Sequence, residues 1–155
     1  MKKIIIAIDS FKGCLTSAEA GKAAEKGIKS INPSCHTSVI PIADGGEGLL
    51  DVLITATKGK YITLSAHGPL MKMAKTHYGL SGNGRTAIIE MAAISGLPLV
   101  PIEQRNPMLT TTFGTGELIK DALNKGCRNF IIGIGGSVTN DSGLGMLQAL
   151  GFRFL

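Results

Sequence analysis

Tryptophan is absent from this 155-residue chain, and aromatic residues make up only 5% of it. The core must therefore be aliphatic, and a nucleic-acid surface of interleaved aromatic and basic side chains has little to draw on. Charged residues are scarce at 17% while mean hydropathy is +0.25, which excludes a solvated, disordered polypeptide. Apolar runs long enough to span a bilayer are missing as well. The cysteines, Cys14, Cys35 and Cys127, are odd in number and lack metal-ligand spacing, so they read as reduced thiols rather than as a disulfide framework or zinc site. Acidic residues are the minority sign, 11 against 16 Lys and Arg, leaving +5. The basic residues are scattered, which suits small anionic ligands better than nucleic acid.

What is present is one domain's length of chain in which strand-length apolar runs alternate with segments of helical period. The first run, Ile4 to Ile8, is cut off by Asp9 and Lys12 before it can serve as a signal peptide. It reads as a fully buried strand, Lys3 to Asp9, in a cytoplasmic protein. Thr16 and Glu19 form a capping box for a helix that Asn32 and Pro33 stop. A second strand, Thr37 to Ala43, leads through Asp44-Gly45-Gly46-Glu47-Gly48 into a helix that ends at Gly59. Short strands between turn signals follow from Lys60, and one of them runs from Thr86 to Met91. A helix over Thr110 to Asn124, a strand over Asn129 to Ile134, a glycine-rich turn and a helix through Leu144, Leu147 and Leu150 complete the pattern, and Phe152 to Leu155 begins a further strand.

This order predicts an α/β fold: a Rossmann-like or flavodoxin-like parallel sheet with helices on both faces, plus a smaller antiparallel meander. Residues 1–58 and 85–155 are expected to form the core, and 59–84 the meander or part of a second domain.

Segments that follow the carboxyl ends of parallel strands gather on one edge, where open α/β sheets bind ligands. The stretch Gly133-Ile134-Gly135-Gly136-Ser137-Val138-Thr139-Asn140-Asp141 lets backbone amides approach an anion at a helix start, or else is a tight turn capped by Thr139 or Asn140. It is neither a dinucleotide fingerprint nor a Walker A sequence. Gly143 and Gly145, inside the helix that follows, each cost about 1 kcal/mol relative to Ala unless close approach repays it.

Asp44 and Glu47 stand at the spacing of a capping pair, yet an Asp above a sheet edge can also hold Mg2+ through water or orient a hydroxyl. Asp9 ends an apolar strand, where a carboxylate needs a hydrogen-bonded turn or a ligand. Lys12 is a phosphate partner or a solvated lysine, Glu90 a site carboxylate or an exposed strand residue, and Arg105 a bidentate anion contact or a solvated loop residue. Thr110, Thr111, Thr112 and Thr115 add hydroxyls to a helix start, although capping needs only one of them. His36, His67 and His77 share no metal spacing.

Taken together, Asp9-Ser10-Phe11-Lys12-Gly13, Pro41 to Gly48, Glu90-Met91-Ala92-Ala93, Arg105-Asn106-Pro107 with Thr110 to Glu117, and Gly133 to Asp141 resemble the type-1 glycerate kinase family. The resemblance is spread over almost the whole chain. It implies a two-domain α/β scaffold that transfers the γ-phosphoryl group of ATP to D-glycerate, giving phosphoglycerate, 2-phosphoglycerate in the glycerate 2-kinase group, with Mg2+. Carried onto this sequence, it implies catalytic roles for Asp44, Asp9 and Lys12, and Mg2+ contacts for Asp44 and Asp141. Substrate or phosphate contacts fall to Ser10, Gly45, Gly46, Glu47, Glu90, Arg105, Thr111, Thr112, Thr115, Gly135, Gly136, Ser137, Thr139, Asn140 and Asp141. Neither nucleic acid nor membrane is an expected partner, and a homodimer is left open. Members of that family continue well past the length of this chain, so the resemblance implies an N-terminal portion whose own activity is in question. A non-catalytic α/β module and a nucleotide-binding oxidoreductase are the alternatives.

Overall fold

The computed structural model describes residues 3–154, which divide into two compact units, Met1–Asp44 and Gly45–Leu155. No described helix is long and apolar enough to cross a membrane.

The first unit is a β-α-β arrangement: β1 (Lys3–Ile8), α1 (Ser17–Ile31) and β2 (His36–Pro41), with β1 and β2 parallel and paired from Lys3↔His36 to Ile8↔Pro41. The capping box forms as its spacing predicts: Glu19 N donates to Thr16 Oγ1 at 3.2 Å and Thr16 N donates to Glu19 Oε2 at 2.9 Å. Close packing of α1 on the strands depends on Gly21, where a Cβ would run into Val39.

The expectation of a fully buried first strand fails. Ile6 is 8% exposed, but Ile4 is 37% and Ile5 59% exposed. A continuous apolar run is buried throughout only where both faces are covered. Here Ile6 and Ile8 lie on the face that α1 covers, and Ile5 and Ala7 alternate onto the other.

The second unit begins with α2 (Leu49–Thr57) and a hairpin of β3 (Lys60–His67) and β4 (Met73–Leu80). It continues with β5 (Thr86–Glu90), the short α3 (Ala92–Ser95), two 3-10 turns (Leu97–Leu99 and Ile102–Gln104), α4 (Phe113–Asn124), β6 (Asn129–Gly133) and α5 (Leu144–Ala149). Its sheet has the order β3-β4-β5-β6, antiparallel up to β5 and parallel between β5 and β6. The α/β class and the antiparallel meander are therefore both present, with the meander hydrogen-bonded into the same sheet as the parallel pair.

Alternation along β5 explains how helices cover both faces. Ala87 and Ile89 join Ala66, Tyr78, Ile94, Leu118, Ile119, Ala122 and Cys127 under α4, whereas Ile88 packs with Leu50 and Ile54 of α2. Tyr78 is wholly buried and satisfies its hydroxyl by donating to Asp121 Oδ2 at 2.8 Å. Burial, the Asp121 hydrogen bond and its charge all push the phenol upward from its ordinary pKa.

Two boundaries differ from expectation. The helix predicted from Thr110 starts at Phe113, because Thr110 to Thr112 spend their polar groups on other segments. The strand predicted from Phe152 is absent over 152–154: after α5 the chain turns through Gly151 at φ 103°, and Phe152 N donates to Leu147 O at 3.1 Å. Leu155 lies outside the described residues.

Candidate functional site

In the first unit the parallel register brings the carboxyl ends of β1 and β2 to one edge, so Asp9, Ser10 and Lys12 follow one strand there and Asp44 follows the other. Asp9 accepts from Ser10 N at 2.6 Å, which ties its carboxylate to the turn. Lys12 and Asp44 are exposed.

In the second unit the parallel pair β5 and β6 ends at Glu90 and Gly133, which stand side by side. Glu90 is only 8% exposed. It is therefore not the exposed strand residue of one of its two readings. Its Oε2 accepts from Gly48 N at 3.1 Å and Leu50 N at 3.2 Å, the first amides of α2. Gly48, at φ 91°, is the N-cap and offers no side chain, so the cap comes from β5. The Asp44 and Glu47 spacing, one reading of which was a local capping pair, is not used that way. Burial raises the Glu90 carboxyl above its ordinary pKa; hydrogen bonds from Leu50 and Gly48 oppose that, and the charges of Asp51 and Glu47 add to it.

The two glycine-rich turns interlock. Gly135 N donates to Gly45 O at 3.0 Å, and Met91 N donates to Gly133 O at 2.9 Å. A Cβ on Gly135 would lie 2.6 Å from Gly46 Cα, and one on Gly133 would lie 2.5 Å from Gly45 O and strike Leu49. Only residues without side chains let these backbones meet. Beyond them, Gly136 has φ 73°, Thr139 N donates to Ser137 Oγ at 3.0 Å, and the two hydroxyls are 2.6 Å apart. Asn140 is exposed.

Asp141 joins two helix starts. Its Oδ2 accepts from Thr112 N and Thr112 Oγ1, each at 2.8 Å, from Gly145 N at 3.1 Å and from Thr111 Oγ1 at 3.4 Å, while Oδ1 accepts from Gly143 N at 3.1 Å. Burial alone would raise the carboxyl, but the hydrogen bonds from Thr112, Gly145 and Gly143 outweigh it and hold Asp141 below the ordinary Asp value. Gly145 is glycine because a Cβ there would collide with Thr111 Oγ1 and approach Asp141 Oδ2 to 2.9 Å.

The remaining threonines are similarly engaged. Thr110 Oγ1 donates to Val138 O at 2.9 Å, and Thr115 Oγ1 lies 2.9 Å from Ser95 Oγ in the core. Arg105 donates from Nε to Val100 O at 3.1 Å and from an Nη to Leu97 O at 3.4 Å, bracing the 3-10 segment. Sequence reasoning did not single out Ser95, whose carbonyl accepts from Val138 N at 2.9 Å and so pins the glycine turn. Nor did it single out the partner of His67: Glu117 accepts from the His67 backbone N at 2.7 Å and faces its Nδ1 at 2.9 Å. Both partnerships join residues too far apart in sequence for a local motif. An open hollow of about 560 Å3 beside the start of α4 is lined by Met71, Met108, Leu109, Thr110, Thr111, Phe113 and Gln148.

Among the described residues no three His, Cys, Asp or Glu side chains are grouped to hold a metal ion. The donor set thus fits no protein-only cage. A Mg2+ that keeps most of its waters and meets a single exposed carboxylate is the form such a set could accommodate. The Asp141 oxygens already accept from the donors at the two helix starts.

Residues 4–155 match the profile of the glycerate kinase family. A glycerate kinase of Haemophilus influenzae is 56% identical over 153 residues, spanning 99% of this chain and 40% of its own length. The glycerate 2-kinase of Escherichia coli K12 is 52% identical over 151 residues, covering 97% of this chain and 40% of that protein. A solved structure from Salmonella typhimurium LT2, assigned as a glycerate kinase 2, superposes with a TM-score of 0.83 at 50% identity, over 97% of this chain and 40% of its own. This chain therefore spans about 40% of the length of these relatives.

Proposed function

Because the chain belongs to the glycerate kinase family, we propose that it is part of an enzyme that transfers the γ-phosphoryl group of ATP to a hydroxyl of D-glycerate, giving 2-phosphoglycerate. The carrying observation is a family match that runs from residue 4 to residue 155 without leaving out any candidate turn. The activity is proposed for the protein at the length its relatives have.

Phosphoryl transfer depends mainly on positioning and on neutralising charge, with little covalent chemistry asked of the protein. Mg2+, when bound with the nucleotide, would supply charge neutralisation at the phosphates, and Asp44 is the carboxylate proposed to meet it or to accept the glycerate hydroxyl proton. Asp9 would share that edge through its turn with Ser10. Lys12, exposed on the same turn, would meet phosphate or the glycerate carboxylate as a point charge. Backbone amides of the Gly133 to Asp141 turn other than those of Gly135, Val138 and Thr139, which donate within the protein, would serve the anionic groups, with Ser137, Thr139 and Asn140 bordering them. Arg105 and the threonines around α4 would hold that turn and its neighbours in place through the bonds described above.

The test is D-glycerate-dependent ADP release from ATP in the presence of Mg2+, by this chain and by a protein of the relatives' full length that contains it. Release by the longer protein, abolished by Asp44→Asn in a variant that still folds, is the expected result. A longer protein that folds and releases no ADP on addition of D-glycerate would sink the assignment, and near-normal turnover by the variant would remove Asp44 from the mechanism.

A further inference from the structure

The α2 helix starts at a glycine turn, yet its N-terminal cap is carried by a residue 42 positions away. Oε2 of Glu90 takes both the Gly48 and the Leu50 amides, and within the described residues no hydrogen bond falls on Oε1. The turn thus held, 45–48, is the one whose Gly45 carbonyl receives Gly135 N and whose Gly46 backbone leaves no space for a Cβ at position 135. One buried carboxylate therefore sets the place of two turns at once. A cap alone does not require a charge: an amide oxygen can accept the same two N–H groups, and burying a carboxylate is costly.

Resting on the kinase reading above, we propose that Glu90 is a positioning residue of the phosphoryl-transfer site, fixing the 45–48 turn, and through it the 133–136 turn, in the geometry that turnover needs. It acts through these backbones and not on the substrate. A protonated carboxyl keeps an oxygen that still accepts, and a group with a raised pKa is protonated preferentially in the held state, so acid does not release the turns. Burial moves that protonation up from the ordinary Glu range. The groups bearing on it are Asp51 on α2 and Glu47 in the turn, both like charges, while Tyr61 on β3 lies within its field.

The test uses Glu90→Ala and Glu90→Gln in the full-length protein, with kcat and KM measured across pH and melting followed in parallel, and amide hydrogen exchange in the present chain. The expected outcome is a loss of at least about tenfold in kcat for Glu90→Ala with little change in KM, which Glu90→Gln restores to within about threefold. Unchanged turnover in Glu90→Ala, or two folded variants that are equally dead, would overturn the proposal, the second by making the carboxylate a direct participant. If Glu90→Ala does not fold, a loss of about tenfold or more in kcat for a folded Glu90→Gln overturns it as well. Exchange at the Gly48 and Leu50 amides should quicken in Glu90→Ala and not in Glu90→Gln. That readout involves no substrate, so a failure of the kinase reading leaves it standing.

Discussion

Asp141 illustrates how much one side chain can be asked to do. Its carboxylate receives amides from the starts of both α4 and α5 and the Thr112 hydroxyl, and Met146 N donates to that same hydroxyl at 3.0 Å. Replacing it with Ala removes a shared cap and leaves several donors unsatisfied, so Asp141→Ala should lower stability by about 2 kcal/mol or more in urea unfolding at pH 7. Because the folded pKa lies below the unfolded one, the contribution is complete above the ordinary Asp range and is lost as pH falls through the depressed folded value. The gap between wild type and Asp141→Asn should accordingly narrow as pH falls below the ordinary Asp range, and a gap independent of pH would show that the charge is immaterial. Glu90 has the opposite sign. Its raised pKa means that the ionised form is destabilising in the fold, so Glu90→Gln should melt no lower than the wild type at pH 7, and a fall of several degrees would show a favourable charge there.

At the scale of elements, the two glycine turns behave as a single fitted joint. Gly135→Ala places a methyl group against the Gly46 backbone, which cannot swing aside as a flexible side chain could. It should cost about 1 to 3 kcal/mol, whereas Gly27→Ala, with open space at the same atom, should be neutral or stabilising. Comparable unfolding midpoints for the two variants would refute the joint. How far such features can be read from sequence follows from the range of the interaction. The Thr16 and Glu19 capping box, the β-α-β rhythm and the meander are local, and all three are legible. The glycines of 133–136 were legible as demanding close approach, but not what approaches them, since Gly45 and Gly46 lie some ninety residues earlier in sequence. Asp44 and Glu47 had the spacing of a cap, and the competing cap on β5 lay beyond any local window. Burial of β1 was misjudged because composition records how apolar a strand is and not how many of its faces are covered.

For the molecule as a whole, apolar surface is the conspicuous quantity. β6 lies at the edge of its sheet, with Ile131 43% and Ile132 37% exposed on opposite faces and Ile134 beyond them at 72%. An edge without charge or proline is open to further pairing. The chain should therefore bind an exposed-hydrophobe dye in its native state, and Ile131→Lys should reduce both the dye signal and any concentration-dependent sedimentation. Dye fluorescence at the level of a buffer blank would mean that this surface is covered in solution.

The sharing of Asp141 between two helix starts also bears on how the structure opens. A helix usually frays from its ends independently of its neighbours, but α4 and α5 begin on one carboxylate. Opening either start exposes that anion and deprives the other of its anchor. The two helices should thus exchange their first amides as one cooperative unit, with Thr112 and Gly145 reporting the same opening free energy.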